Sequence, residues 1–320
     1  MRNTEMKLPG WAVELLCCPA CGNFLDFDGE NVRCQNEECA SVFPVIGGVP
    51  VLLDSRKSVF SAEDFINRKD TYYSMGKNSL RKALFRITPK IGANIKGRGN
   101  YRKLVKLLIA GSKNPKVLVL GGAIKGEGIE ELFSAPLIEF VETDISFGER
   151  TMAIVDTHCI PFKDNSFDCV VAQAVLEHVI DPYASVKEIH RVLKNDGLVY
   201  AETAFMQQVH GGAYDFTRFS RLGHRRLFAQ FQEIESGAVC GTGMALAWAY
   251  QYFLMSLTSS TTLRHMARIF AGFTAFWLKY FDYLTINNPE TLDGASGYYF
   301  MGRKSRRILE DRALIQSYGR

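Results

Sequence analysis

Acidic side chains are missing from a long stretch of this 320-residue chain. From Thr71 to Gly126 there is no Asp or Glu, whereas thirteen Lys and Arg occur there. Because the whole chain has a net charge of +4, the rest of it is net acidic by nine charges. The stretch therefore favours an anionic partner, such as nucleic acid, membrane phosphates or a phosphorylated glycolipid. A plain solvated face is the alternative interpretation.

Charge of either sign is missing from Ser236 to Leu263. Within and beyond this stretch, Met244 to Leu257 and Ile269 to Leu278 are rich in apolar and aromatic residues. Gln251 and Ser256 argue against a membrane span. Three interpretations stay open: a membrane span, a buried helical cap over an ordinary substrate, and an apolar lid that rests on a bilayer or grips a lipid-linked glycan.

The chain begins without the apolar run of a secretory signal peptide, since Met1 to Gly10 carries charges. Clustered thiols in a chain without an export signal indicate metal binding in a reducing cytoplasm rather than disulfides. Two cysteine pairs, separated by twelve residues, have the spacing of zinc knuckles. The predicted zinc ligands are Cys18, Cys21, Cys34 and Cys39. Four sulfurs leave no open coordination position, so the predicted Zn²⁺ is structural, and Cys17 is an unused thiol or a competitor of Cys18.

Short strands and amphipathic helices alternate in the second half of the chain. Phe167 to Ala172 is a short run rich in Val, as in an interior strand. Helical spacing of Val186, Ile189 and Leu193 follows, and Leu198 to Ala201 begins another strand. This alternation predicts an α/β fold with a doubly wound, mostly parallel sheet.

A glycine-rich turn follows an apolar strand in Lys116 to Gly128 (KVLVLGGAIKGEG). Glycines at such a turn let the backbone close against a bound cofactor near a helix N-terminus. The sequence therefore predicts that Gly121, Gly122 and Gly126 contact a cofactor.

Four ordered blocks carry a resemblance to a known family. They are Asp156-x-x-x-Ile160-Pro161-Phe162, Ser166-Phe167-Asp168, Leu176-Glu177-His178-Val179 and Glu188-Ile189-x-Arg191-Val192-Leu193-Lys194-x-x-Gly197. Together they resemble the class I S-adenosylmethionine-dependent methyltransferases, in the branch called methyltransferase type 11. The resemblance implies a seven-stranded Rossmann-like sheet, S-adenosylmethionine as cofactor and methyl transfer by direct displacement.

The resemblance also implies roles for single residues. Asp144 corresponds to the acid that accepts the ribose hydroxyls, and Asp156 to the residue that takes the adenine amino group, with Thr157 at the ring edge. Gln173 follows the fourth strand, where ligands of such sheets bind. The chain departs from the family at Val119, where the usual acidic residue is missing.

Acceptors of this family approach over the segment after the fifth strand. There, His210, Asp215 and Arg218 are the predicted catalytic residues, which position or deprotonate a hydroxyl or clamp a phosphate. An ordinary loop histidine is the alternative for His210.

The cysteine-rich segment resembles the small ribbon domain that accompanies certain tRNA and rRNA methyltransferases. Its ending, Phe43 to Pro50, carries that resemblance. We expect the ribbon to brace the catalytic domain rather than to seat a substrate.

These observations predict four parts of the chain. They are a zinc ribbon (1–55), a basic helical connector (56–112), a methyltransferase domain (113–305, with an apolar helical insertion at 240–296) and a C-terminal tail (306–320). The predicted protein is cytoplasmic or peripheral at the inner face of the membrane. Its predicted acceptor is a hydroxyl or carboxyl of a glycan or lipid-linked intermediate. The alternatives are an RNA methyltransferase, disfavoured by the sequence Gln173 to Leu176 where an Asn-Pro-Pro-Tyr-like motif would stand, and a non-catalytic methyltransferase activator.

Overall fold

The structure is a computed structural model that describes residues 6–67 and 87–318. Part of the predicted connector, residues 68–86, lies outside the described residues. The N-terminal part comprises α1 (Gly10–Val13), β1 (Leu25–Phe27), β2 (Asn31–Cys34), β3 (Val42–Ile46), β4 (Val49–Leu52) and α2 (Ala62–Ile66). The following part comprises α3 (Gly97–Gly111), β5 (Lys116–Leu120), α4 (Glu130–Phe133), β6 (Glu139–Asp144), β7 (Ala153–Val155), β8 (Phe167–Gln173), α5 (Pro182–Val192) and β9 (Leu193–Ala204). The last part comprises α6 (Arg221–Leu227), β10 (Phe231–Cys240), α7 (Thr242–Ser256), α8 (Thr261–Ala275), α9 (Leu278–Thr285), α10 (Thr291–Gly294), β11 (Gly297–Lys304) and α11 (Asp311–Gln316).

The described strands form a single sheet in the order β1-β2-β3-β4-β7-β6-β5-β8-β9-β11-β10. The six neighbouring strands β4, β7, β6, β5, β8 and β9 are all parallel to one another. Strand β11 is antiparallel to both β9 and β10. The predicted doubly wound, mostly parallel α/β fold is confirmed. The sheet has eleven strands within the described residues, more than the seven expected, because the four N-terminal strands continue its edge.

The central strands are buried on both faces, and alternate residues serve different cores. In β5, Leu118 and Leu120 join the core that contains Ile189 of α5. Val117 and Val119 face the opposite core, which contains Leu104 of α3. This period of two, with helices on both sides, explains why the strands read as near-continuous apolar runs.

The N-terminal segment is hydrogen-bonded into the main sheet. Val51 and Leu52 of β4 pair in parallel with Ile154 and Val155 of β7. Both residues of β4 are fully buried, so apolar burial adds to the backbone pairing. A further hydrogen bond joins the Cys17 N–H to the carbonyl of Pro161.

Helix α3 lies within the predicted helical connector and carries an apolar stripe, with Leu104 and Leu108 buried. The helix begins at Gly97. Its first N–H is satisfied by the Asn94 side chain, whose Oδ1 accepts from Gly97 at 2.6 Å.

The basic face of α3 is ion-paired rather than simply wet. Arg98 and Arg102 lie 2.9 and 3.0 Å from Glu131, and Lys103 pairs with Glu235. These pairs neutralise part of the positive charge that the sequence concentrates before Gly126.

The apolar insertion lies between β10 and β11 and consists of helices α7 to α10. Because β10 runs parallel to the central strands, the insertion starts at their carboxyl edge. Among the described residues, none of the helices is both long and apolar enough to cross a membrane.

Candidate functional site

A cavity of about 350 Å³ opens at the carboxyl ends of the parallel strands β5 to β9. This is within the size range of cofactor sites in proteins of this architecture. The predicted cofactor-binding residues that line it are Gly121, Gly126, Asp144, Asp156, Thr157 and Gln173. Gly122 lies behind the turn, where an added Cβ would stand 3.0 Å from the Cβ of Glu142.

Two glycines keep the turn after β5 close to its neighbours. Gly121 has a φ of +75°, and an added Cβ would stand 2.5 Å from Val175. At Gly126 an added Cβ would stand 1.8 Å from the Oε1 of Gln173. Side chains at these positions would therefore displace the walls of the cavity.

Asp144 ends β6 with its carboxylate directed at two backbone N–H groups. One oxygen accepts from Ala123 in the glycine turn at 2.9 Å, and the other from Ser146 at 2.8 Å. Burial raises the pKa of Asp144 to about 6. Each oxygen retains a lone pair, so the carboxylate can still accept hydroxyl donors from a ligand. Glu142, two residues earlier in this strand, is instead paired with Arg150 at 2.5 Å.

Asp156 follows β7 and is held by two residues that the sequence analysis missed. Its carboxylate accepts from Ser58 Oγ at 2.6 Å and contacts His158 Nδ1 at 2.5 Å. Burial opposes ionisation, but the hydrogen bonds from His158 and Ser58 hold the pKa of Asp156 below its ordinary value. The Thr157 hydroxyl is 2.9 Å from Ser185 Oγ of α5, which ties the loop to that helix.

Glu202, near the end of β9, also lines the cavity, as does Glu127, and was missed from sequence. Its oxygens accept from Asn94 Nδ2 and Gln173 Nε2, both at 2.8 Å, and from Tyr200 OH at 2.5 Å. Tyr101 OH in turn donates to Gln173 Oε1 at 3.0 Å, which orients the amide.

All the donors to Glu202 are neutral. Within residues 6–67 and 87–318, no Lys or Arg is ion-paired with this carboxylate, although it is only 6% exposed. Burial raises the pKa of Glu202 to about 7. The signal available in the sequence was an acid inside the apolar strand run LVYAETA.

The predicted catalytic residues His210, Asp215 and Arg218 lie together, outside the cavity lining. Asp215 accepts from the N–H of His210 at 2.8 Å and contacts Arg218 at 2.5 Å. Arg218 also donates to the carbonyls of Gln207 and Gln208. The Arg218 hydrogen bond, set against burial, holds the pKa of Asp215 well below its ordinary value. Asp215 and Arg218 therefore fix the loop.

His178 connects that loop to the cavity, which it lines. Its ring packs edge-on against His210 with centroids 4.8 Å apart, and its Nδ1 is 2.8 Å from the carbonyl of Tyr214. Because a carbonyl oxygen can only accept a hydrogen bond, we place the proton of the neutral ring on Nδ1, which leaves Nε2 as the basic nitrogen. Burial lowers the pKa of His178 to about 4.

The four predicted zinc ligands come together at one end of the N-terminal segment. Cys18 Sγ is 3.9 Å from Cys39 Sγ, and Cys21 Sγ is 3.4 Å from Cys34 Sγ. Four sulfurs on a tetrahedral Zn²⁺ stand about 3.8 Å apart. All four ligand atoms lie within 4.8 Å of one another, and the buried Cys17 is outside the group.

Comparison with known proteins bears on both halves of the chain. A family model described as a methyltransferase domain matches residues 125–201. The chain is 38% identical over 52 residues to a ubiquinone/menaquinone biosynthesis C-methyltransferase UbiE of Citrifermentans bemidjiense, covering 16% of this chain and 22% of that protein. The chain thus spans less than a third of the length of this relative.

Two further likenesses complete the comparison. A UPF0434 protein of Hamiltonella defensa is 42% identical over 45 residues, covering 13% of this chain and 73% of that protein. The structure of an O-methyltransferase from a polyketide synthase of Brevibacillus brevis, solved with S-adenosyl-L-homocysteine, overlaps 68% of this chain and 75% of that one, with 14% identity and a TM-score of 0.45.

Proposed function

We propose that this chain, which belongs to the class I S-adenosylmethionine-dependent methyltransferases and has a 45-residue segment of the UPF0434 family, methylates a hydroxyl or carboxyl group. The observation that carries the proposal is the convergence of Asp144, Asp156 and Glu202 on one cavity at the ends of parallel strands. Ligands of such sheets bind in the crevice outside those strand ends.

The residues present fit S-adenosylmethionine, since the cavity depends on glycines whose Cβ atoms would fill it. Asp144 would accept the ribose hydroxyls, and Asp156 would take the adenine amino group beside the Thr157 backbone. Glu202 would hold the ammonium of the amino-acid end, because it is a buried carboxylate without a cationic partner among the described residues. Glu202 thereby replaces the strand acid that is missing at Val119. Gln173 orients Glu202 by its 2.8 Å hydrogen bond.

When bound, S-adenosylmethionine supplies a methyl group on a sulfonium sulfur for direct displacement by an acceptor oxygen. The protein then contributes chiefly by positioning. His178, with Nε2 as its basic nitrogen, is placed at the cavity to take the acceptor's proton. His210 packs against that ring, and Asp215 and Arg218 hold His210 in place.

The proposed acceptor is a glycan or a lipid-linked intermediate, met by a cytoplasmic protein at the inner face of a membrane. Apolar residues at the cavity, among them Phe60, Val179, Ile180 and Phe216, support an acceptor with apolar parts. RNA is the second candidate acceptor, favoured by the basic connector. The pairing of Arg102 and Lys103 with carboxylates weakens that case.

Zn²⁺ in this proposal is structural and held by Cys18, Cys21, Cys34 and Cys39. The donor set fits, since sulfur separations of 3.4 and 3.9 Å are close to the tetrahedral spacing.

Calorimetry with S-adenosylmethionine tests the proposal, followed by transfer of a labelled methyl group to lipid-linked glycans and to ribosomal RNA. Binding with transfer to the glycan fraction is expected. Binding with transfer only to RNA would overturn the acceptor class. Absence of binding would favour a non-catalytic activator and overturn the activity itself.

A further inference from the structure

Helices α7 to α9 bury small residues and expose large apolar ones. The residues in their packing interfaces include Ala247, Ala271, Gly272 and Ala275, all within 9% exposure. In contrast, large apolar side chains of the same helices are between 48% and 79% exposed. We define the apolar face by six of them: Phe253, Phe270, Phe273, Trp277, Phe281 and Leu284. This arrangement inverts the usual pattern of a helix on a water-exposed surface.

The exposed residues form a stripe rather than a scatter. Phe270, Phe273, Trp277, Phe281 and Leu284 recur every three or four residues along α8 and α9, which places them on one side of the helices. The rings of Trp277 and Phe281 touch, with centroids 5.8 Å apart. A contiguous apolar surface of this kind marks an interaction site, whereas single exposed residues do not.

The helices that carry the apolar face have charges of one sign, apart from one buried acid. Between Thr242 and Thr285 the sequence contains Arg264, Arg268, Lys279 and a single acid, Asp282. Asp282 is fully buried, and its carboxylate accepts the N–H groups of Gly241, Gly243 and Met244 at the start of α7. Apart from this buried acid, the charged side chains of the three helices are all cationic. Arg264 is exposed, whereas Arg268 and Lys279 are half-buried, and Lys279 Nζ donates to the carbonyl of Lys90 at 2.6 Å.

We propose that the apolar face lies in the surface of an anionic phospholipid bilayer. Aromatic and aliphatic side chains would enter the boundary between headgroups and acyl chains, while Arg264, Arg268 and Lys279 meet lipid phosphates. Small residues between the helices allow the close packing that membrane-embedded helices use.

The face is connected to the candidate site through α7. Tyr252 OH donates to the carbonyl of Val209 at 2.5 Å, and the Trp248 ring is 6.4 Å from the ring of His210. Exposed apolar residues, Ile180 and Phe216, stand at the cavity itself. If the proposed methyl transfer holds, this placement selects a lipid-anchored acceptor that reaches the cavity from the bilayer; the docking itself does not depend on that function.

Vesicle flotation of the full chain tests the proposal. The probes are vesicles of phosphatidylcholine alone and of phosphatidylcholine mixed with phosphatidylglycerol. We expect binding to the mixed vesicles that weakens with salt. Binding should be at least about tenfold weaker for Phe270→Gln/Phe273→Gln/Trp277→Gln, because three apolar side chains that the bilayer would bury are lost. Arg264→Gln/Arg268→Gln/Lys279→Gln should remove the preference for anionic lipid.

The matched control is Ile308→Gln/Ile315→Gln, which removes two side chains of similar exposure, 66% and 67%, outside the apolar face. This control should bind vesicles like the unmodified chain. Brominated lipid should quench the fluorescence of Trp277, and the quenching should be lost in Trp277→Phe.

Three outcomes would overturn the proposal. They are no flotation of the unmodified chain, flotation that the face variant retains, and a stable dimer that the face variant converts to monomer without any vesicle binding. Calorimetry with S-adenosylmethionine on the same variants separates failure of membrane docking from failure of the proposed function. The reason is that none of the substituted residues lines the cavity.

Discussion

Gln173 donates a hydrogen bond of 2.8 Å to Glu202 across adjacent parallel strands. Asn94 donates to the same oxygen from outside the sheet, and Tyr200 to the other. The carboxylate is therefore fully oriented while its charge is balanced by no cation of the described residues. Such an arrangement suits a cationic ligand group, because a buried charge is stable only when paired.

Glu202→Gln should weaken the binding of S-adenosylmethionine by about ten- to a hundredfold, the cost of losing a hydrogen bond to a charged group. It should leave 5′-methylthioadenosine binding unchanged, because that nucleoside lacks the amino-acid end. Calorimetry with both ligands measures the difference. Glu235→Gln, which removes a surface carboxylate paired with Lys103, is the control and should bind both ligands normally. Equal weakening for the two ligands would refute the assigned role.

The pH dependence of stability and of binding should run in opposite directions. Burial raises the pKa of Glu202 from 4.5 to about 7, so the fold prefers the protonated form. The raised pKa of Glu202 contributes at most about 3 kcal/mol to the free energy of unfolding. This contribution is complete below pH 4.5 and is lost as the pH rises through 7. Affinity for a cationic ligand should instead increase over the same range.

Denaturant unfolding from pH 4.5 to 8.5 should therefore show a smaller loss of stability for Glu202→Gln than for the unmodified chain. Burial also raises the pKa of Glu177 to about 7 and that of Asp144 to about 6, and both contribute losses of the same sign that this variant retains. An unchanged pH profile in Glu202→Gln would contradict the assignment.

Asp144→Ala should weaken S-adenosylmethionine and 5′-methylthioadenosine equally, by about tenfold or more. Both ligands carry the ribose that Asp144 is proposed to hold. Glu142→Gln is the comparison within the same strand, because its carboxylate is paired with Arg150 outside the cavity. Selective loss of one ligand in Asp144→Ala would assign that carboxylate to another part of the cofactor.

Cys21→Ser should abolish zinc binding and lower the melting temperature, whereas Cys17→Ser should retain the metal. The reason is that metal-binding energy is also folding energy in segments this small. Elemental analysis of the purified chain and thermal unfolding measure the two effects. Retention of zinc in Cys21→Ser, or its loss in Cys17→Ser, would contradict the assigned set of ligands.

His178→Ala should reduce kcat by about a hundredfold or more while leaving the affinity for S-adenosylmethionine within a factor of about two, as expected for a general base. Arg218→Ala should lower kcat less, because Arg218 acts on the loop and not on the acceptor. Single-turnover methyl transfer distinguishes the two. Equal kcat in His178→Ala and the unmodified chain would remove His178 from the mechanism.

Local patterns in the sequence predicted the central strands and the helical connector that contains α3, because these features depend on residue spacing within one element. The position of Asp144 at the end of β6 was instead implied by the resemblance to the methyltransferases. The residues that donate hydrogen bonds to the carboxylates of the site carry no such local signal. Ser58 lies 98 positions from Asp156, and Asn94 lies 108 positions from Glu202. Only the order of strands in the sheet brings these pairs together.

The sequence also predicted apolar helices in the insertion without predicting which side of them faces solvent. Hydrophobicity alone favours burial of Phe270 and Phe273, yet the helices pack through Ala271 and Ala275. The signal that was available is the alternation of small and large apolar residues, which distinguishes close helix packing from an ordinary core.

Ser58 and Phe60 lie just beyond β4, the strand that joins the N-terminal segment to β7. Ser58 donates to Asp156, and Phe60 lines the cavity and stacks on Tyr214 at 5.2 Å. The small cysteine-rich segment thus leads directly into one wall of the cavity. Loss of the pairing between β4 and β7 should therefore displace this wall, because Ser58 and Phe60 follow β4 directly.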